Sequence, residues 1–136
     1  MQEEMLEGYR LSPQQRHLWI LSRHGWNVSY QTKCLVAIKG RLEIGRLKAA
    51  ADNLAARHEI LRTSFQCLPG MTIPVQVIRE TGDICWEEDD LSGSDERGAL
   101  IEAFFHAASG PFDFERGPLL QIHIIKREKD DHVMIL

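Results

Sequence analysis

Arg57-His58-Glu59-Ile60-Leu61-Arg62-Thr63-Ser64-Phe65 is the stretch on which the fold turns. Upstream of it, Leu47, Ala51, Leu54, His58 and Leu61 recur at spacings of three and four, the period of one helix face. Downstream, Thr63 to Leu68 and Pro74 to Arg79 read as two strands around a Pro69-Gly70 turn. The nonamer thus marks the passage from helix to strand. It also crowds Arg57, His58, Glu59 and Arg62 against Leu61 and Phe65. The spacing puts His58 on the inward face, with Asp52, Ala55, Glu59 and Arg62 on the adjoining stripe. His58 reads as a core histidine bonded to a carbonyl or to Glu59, because a core-facing helix position gives a general base poor access to substrate. Arg62 lies at the helix end, where a buried guanidinium demands a carboxylate. Glu59, three residues earlier, is one candidate, and an acid outside these residues is the other.

Working outward, Ser12-Pro13-Gln14-Gln15 opens an N-terminal helix: Ser12 caps, Pro13 suits the first turn, and Gln15 completes a capping box. Leu18, Leu21 and Ser22 follow at helical spacing beside Trp19, and Gly25 ends the run. Thr32 to Lys39 is an apolar run read as a strand covered on both faces. Gly40 breaks it, and a helix follows from about Ile44 to Leu61. Ile84 to Glu88 is a weaker strand, and the acidic run Glu87-Glu88-Asp89-Asp90 reads as a solvated loop. Ser94, with Asp95 and Glu96 in the first turn, opens a third helix. Its apolar face is Leu100, Ile101, Phe104, Phe105 and Ala108, and Gly110-Pro111 ends it. Leu119 to Lys126 and His132 to Leu136 form a last pair of strands. This mixed order predicts an α/β (α+β) sandwich on one mixed sheet with about three helices. Residues 1–10 read as a lead-in.

The chain has 136 residues, which suits one domain or a piece of a larger one. With 43% apolar and 26% charged residues it has the composition of a globular chain. A net charge of -4 argues against nucleic acid as a partner. No apolar run approaches the roughly 20 residues of a membrane span, and Met1-Gln2-Glu3-Glu4 is unlike a signal peptide. Cys34, Cys67 and Cys85 form no CxxC pair, so buried, reduced thiols and a cytoplasmic location are expected. His17, His24 and His106 scatter over the helices as surface or boundary residues. His123 shares the more polar strand face with Gln121, and His132 opens the last strand. No two histidines have metal-ligand spacing, and no nucleophile elbow, phosphate loop or dinucleotide fingerprint is present. No cofactor-binding or metal-binding residue is therefore expected within the chain.

The nonamer at 57–65 resembles the R-H-E-x-L-R-T-x-F motif of the condensation domains of nonribosomal peptide synthetases at every fixed position. Leu11 to Leu21 is similar to that family's first core motif, with its Ser, Gln, Arg and Trp in order. Gly110 to Leu120 resembles the P-F-D-L-x-x-x-P-L segment, with Phe114 in place of the usual Leu. The resemblance implies a chloramphenicol acetyltransferase-like fold, in which two similar subdomains form a V around the active site. It implies amide-bond formation between acyl or aminoacyl groups held on phosphopantetheine arms of carrier proteins. It binds no cofactor of its own to this chain. The family's H-H-x-x-x-D-G signature, whose Asp is structural and pairs with an Arg, should follow Leu136 by a few residues. Residues 11–136 are then the N-terminal part of the domain, inactive alone, with Arg62, Glu59 and His58 as structural support for that loop. Carrier proteins and the other synthetase domains are the expected partners. An unfinished sheet around the last strand implies self-association. Two alternatives stay open: a non-catalytic module that docks a carrier protein or synthetase, and an acyltransferase of the same fold using CoA thioesters or alcohols.

Overall fold

The computed structural model describes residues 8–26, 31–93, 96–110 and 112–136. In chain order the elements are β1 (Gly8–Arg10), α1 (Pro13–Leu21), β2 (Leu35–Lys39), α2 (Ile44–Arg57), β3 (Thr63–Gln66), β4 (Val75–Ile78), β5 (Cys85–Asp90), α3 (Glu96–Ser109), β6 (Gln121–Glu128) and β7 (Asp131–Ile135). A π-type turn over Ser22–Trp26 extends α1 past the expected break, and a 3-10 turn over Glu59–Arg62 separates α2 from β3. Ser94, Asp95 and Pro111, expected to open and close the third helix, lie outside the described residues, as do residues 1–7.

The strands divide between two sheets, not one. β1-β4-β3 is antiparallel throughout. β2-β7-β6-β5 is mixed, because β5 runs parallel to β6 while the other pairs are antiparallel. This second sheet is the centre of the sandwich. Ile122 and Ile124 face α2 through Ala51, with Leu47 and Met134 packed alongside. Ile125, Val133 and Ile135 face α3 through Leu100, Ala103 and Phe104. Ile124 and Ile125 are at most 1% exposed, and each such burial contributes about 1.5–3 kcal/mol. The continuous apolar run of β6 is what a strand covered on both faces requires.

Several expectations are corrected by this packing. The helix stops at Arg57, and His58 is extended at φ -115° and ψ 105°. The inward stripe runs through Leu47, Ala51 and Ala55, while Leu54 is 48% exposed and His58 is exposed. Both stripes have helical spacing; Ala55 is chosen because the loop at Gly82 lies against it. His58 is therefore no core histidine. On α3, Ile101 and Phe105 point outward, because only the Leu100, Ala103 and Phe104 side meets the sheet. β2 is an edge strand with Leu35 half-exposed, not a strand covered on both faces.

The acidic run Glu87–Asp90 is part of strand β5, not a loop. Its parallel neighbour offers bases: Asp89 Oδ2 lies 2.8 Å from His123 Nε2, and Lys126, in register with Asp90, donates from Nζ to Asp90 Oδ2 at 2.8 Å. That hydrogen bond holds the Asp90 carboxyl well below the usual carboxylate range. A row of carboxylates on an edge strand also discourages further pairing. Among the described residues, no helix is long and apolar enough to cross a membrane.

Candidate functional site

Three separated stretches of sequence converge on the small sheet. The N-terminal one is ordered by its cap: Gln15 N–H donates to Ser12 Oγ at 3.2 Å, and Ser12 N–H donates to Gln15 Oε1 at 2.8 Å. The reciprocal bonds satisfy two donors that a helix start leaves open. Gln15 then reaches Gln76 of β4, its Nε2 donating to Gln76 Oε1 at 3.2 Å, and Gln76 Nε2 donates to the Arg10 carbonyl. Gly8–Arg10, within the expected lead-in, pairs with β4 as the sheet's outer strand.

The second stretch, 57–65, supplies the turn and β3. Thr63 Oγ1 donates to the Glu59 carbonyl at 2.8 Å, closing the 3-10 turn on itself. Thr63 and Ser64 are then fully buried beside β4. The third stretch comes alongside β3 on its free edge: Phe65 N–H donates to the Phe114 carbonyl at 2.7 Å. The two rings stand edge to face, with centroids 6.3 Å apart. Asp113 orders this connector, its Oδ1 accepting from the Glu115 and Arg116 amides at 2.9 and 3.0 Å. Gly117 takes φ 64°, a left-handed conformation that favours glycine.

Arg62 lies where the second and third stretches meet. Its Nη1 donates to the Arg79 carbonyl, and Arg79 N–H donates back to the Arg62 carbonyl at 3.0 Å. Its side chain is only 17% exposed. Gly82 permits this: a Cβ there would stand 2.8 Å from Arg62 Cβ. The carboxylate offered by the chain is a poor match. Glu59 Oε1 is 3.7 Å from Nη2, beyond hydrogen-bond reach, and Glu59 is 64% exposed. Arg62 Nε is buried with no hydrogen-bond partner among the described residues. Arg62 opens onto a cavity of about 150 Å³ shared with Arg79, Thr81, Asp83 and Arg116.

Of the three expected support residues, then, Arg62 is placed in a built site, Glu59 touches it weakly, and His58 stands outside among exposed residues. Arg79, Gly82 and Arg116 were not singled out from sequence. Only the Gly82 position carried a local signal, a glycine between Thr81 and Asp83. His17, His24 and His106 are exposed as expected, and His123 and His132 are buried. Cys34 and Cys67, expected to be buried, are exposed, one just before the edge strand β2 and the other just beyond the end of β3. Among the described residues no group of histidines, cysteines and acids could hold a metal ion.

The described residues thus form a two-sheet α/β fold with a buried, under-paired arginine beside a cavity. The chain belongs to the condensation domain family, whose model matches residues 5–136. Among curated relatives, it is 34% identical over 128 residues to gramicidin S synthase 2 of Brevibacillus brevis, covering 93% of this chain and 3% of that protein. It is 37% identical over 130 residues to chondramide synthase cmdD of Chondromyces crocatus, again 93% of this chain and 3% of the relative. Among solved structures, the tallysomycin biosynthesis protein TlmII superposes with a TM-score of 0.79 at 25% identity, over 95% of this chain and 32% of that one. The first condensation domain of the CDA synthetase superposes with a TM-score of 0.81 at 16% identity, over 95% and 33%. The chain thus spans about a third of these solved chains and a few per cent of the curated relatives. The fold is that of these condensation domains, as expected from the three motifs.

Proposed function

We propose that residues 11–136, with residues 1–10 leading in, form the N-terminal part of a nonribosomal peptide synthetase condensation domain. The reaction of the whole domain joins two carrier-bound groups. The amine of an acceptor on one phosphopantetheine arm attacks the thioester carbonyl of a donor on another. An amide C–N bond forms, the C–S bond breaks, and the proton lost from the amine leaves a free thiol on the donor arm. The chain's own residues take no proton in this scheme. They build the wall that positions the reacting loop.

The observation that carries this reading is Arg62 Nε, buried and unpaired where the 57–65 stretch meets the 110–120 connector. A guanidinium there is completed by a carboxylate from elsewhere in the domain. We assign that carboxylate to the Asp of the two-histidine loop, which makes Arg62 a positioning residue. Glu59 then tethers Arg62 loosely, and His58 has no part in holding the loop. Carrier proteins and neighbouring synthetase domains are the partners, and the three free cysteines accord with a cytoplasmic location.

The test is a chimera in which this chain replaces the corresponding third of a solved condensation domain. Mixed with two loaded carrier proteins, the chimera should form dipeptidyl thioester, whereas the 136-residue chain alone should form none. A folded chimera without product, beside an active parent domain, would refute the assignment. So would product from the chain alone.

A further inference from the structure

A second cavity, of about 120 Å³, opens on the α3 side of the large sheet, away from Arg62. His123, Glu87, Phe112, Ile135 and Leu136 all line it. His123 is 5% exposed and held from one side: its Nε2 is 2.8 Å from Asp89 Oδ2. A carboxylate only accepts, so Nε2 carries the proton and, in the neutral ring, Nδ1 is the acceptor. That Nδ1 is buried and has no hydrogen-bond partner among the described residues. Glu87 Oε2 stands 3.9 Å from it, too far to bond and itself an acceptor. Asp89 does not line the cavity, whereas Glu87 does. His123, with its unpartnered Nδ1, and the half-exposed Glu87 thus sit side by side in the cavity wall.

Two acceptors 3.9 Å apart, one of them anionic, are matched in number and charge by a group with two protons and a positive charge. We propose that this cavity is a binding subsite for a small primary ammonium group, donating to His123 Nδ1 and to Glu87 Oε2 together. One ammonium nitrogen spans the gap with N–H bonds of roughly 2.9 Å to each. An amide N–H or an alcohol has a single proton for the two acceptors and no charge for Glu87. Phe112, Ile135 and Leu136 offer the alkyl part of the ligand an apolar flank. The competing occupant is a carboxylate held by Lys33 and His106, the basic groups on the same lining. The proposal stands on this geometry and is independent of the condensation reading.

The experiment is a titration of the 15N-labelled 136-residue chain with butylammonium chloride, butanol and sodium butyrate at matched ionic strength, reading the His123 Nδ1 resonance. Butylammonium should give a saturable shift, and butanol and butyrate should not. Glu87→Gln should weaken that binding about tenfold or more while leaving the amide spectrum dispersed. Lys33→Ala should preserve or tighten it. No saturable shift with the amine, an undiminished affinity in Glu87→Gln, or preferential binding of butyrate would each overturn the proposal. If Glu87→Gln loses dispersion, Glu87→Asp, which keeps the charge and shortens the reach, takes its place and should also weaken binding.

Discussion

Phe65 and Phe114 meet twice, through a 2.7 Å backbone hydrogen bond and through rings set edge to face at 66°. Forty-nine positions apart in sequence, they join the end of the 57–65 stretch to the connector that feeds β6. The contact gives β3's otherwise open edge a partner, and it places Arg116 and Gly117 at the mouth of the Arg62 cavity.

The ring pair should therefore be worth more than its parts. Phe114→Ala is expected to destabilise the chain by about 2–3 kcal/mol, less than a fully buried Phe because both rings are half-buried. Phe114→Leu should cost under about 1.5 kcal/mol. A double-mutant cycle with Phe65 in urea denaturation should return a coupling of about 0.5–1.5 kcal/mol. Additive single effects would mean that the rings contribute only separate burial.

Two glycines should behave oppositely. Gly82→Ala forces a methyl to 2.8 Å from Arg62 Cβ and should cost about 1–3 kcal/mol. Gly45, inside α2 with nothing within 4 Å of its notional Cβ, should accept Ala with a gain of up to about 1 kcal/mol. Thermal melts of the two variants decide it, and a tolerated Gly82→Ala would show that the loop at 80–84 yields.

Arg62 and Glu59 should prove nearly uncoupled. Their 3.7 Å contact is solvent-facing on the glutamate side, so Glu59→Gln should change stability by less than about 0.5 kcal/mol. In the chimera, Arg62→Lys should lower product formation, because Lys cannot reproduce the planar donor set around Nε. Full activity with Lys would reduce Arg62 to a point charge.

Acid should loosen the large sheet. The Lys39 ammonium, 2.6 Å from Asp131 Oδ2, holds that carboxyl below its ordinary value, and Lys126 does the same for Asp90. With folded values depressed, the unfolded chain binds more protons. The stabilisation is fully present above the unfolded Asp value of about 3.9 and is lost as pH falls through the folded values. The urea midpoint should drop from about pH 4 downward, and less steeply in Asp131→Asn. Parallel profiles for the two proteins would count against it.

Self-association is expected at the edge strand β2. β7 is interior, paired with both β2 and β6, so it leaves no open strand. β2 is the apolar edge, with Leu35 48% exposed, and unlike β5 it carries no row of charges. Sedimentation should show a concentration-dependent rise in mass that Leu35→Lys reduces. A monodisperse monomer at high concentration would end the idea.

How much was legible in advance follows from the range of the forces involved. The capping box at Ser12 and Gln15, the turn at Pro69-Gly70 and the apolar run of β6 rest on neighbours a few residues apart, and all were readable. So was the family, since three motifs kept their order. The face of α2 was not, because Ala55 and Leu54 both fit a helical period and only the loop at Gly82 chooses between them. The acidic run at 87–90 looked solvated until β6 brought His123 and Lys126 into parallel register, a pairing that no local pattern encodes. By itself the sequence determined the family and most of the helices and strands. Tertiary structure alone decided that Arg62 is buried and under-paired, that His58 is exposed, and that His123 is buried in the wall of a second cavity with Nδ1 unpartnered. Periodicity reports which faces want cover, whereas burial and pairing depend on what distant chain arrives to cover them.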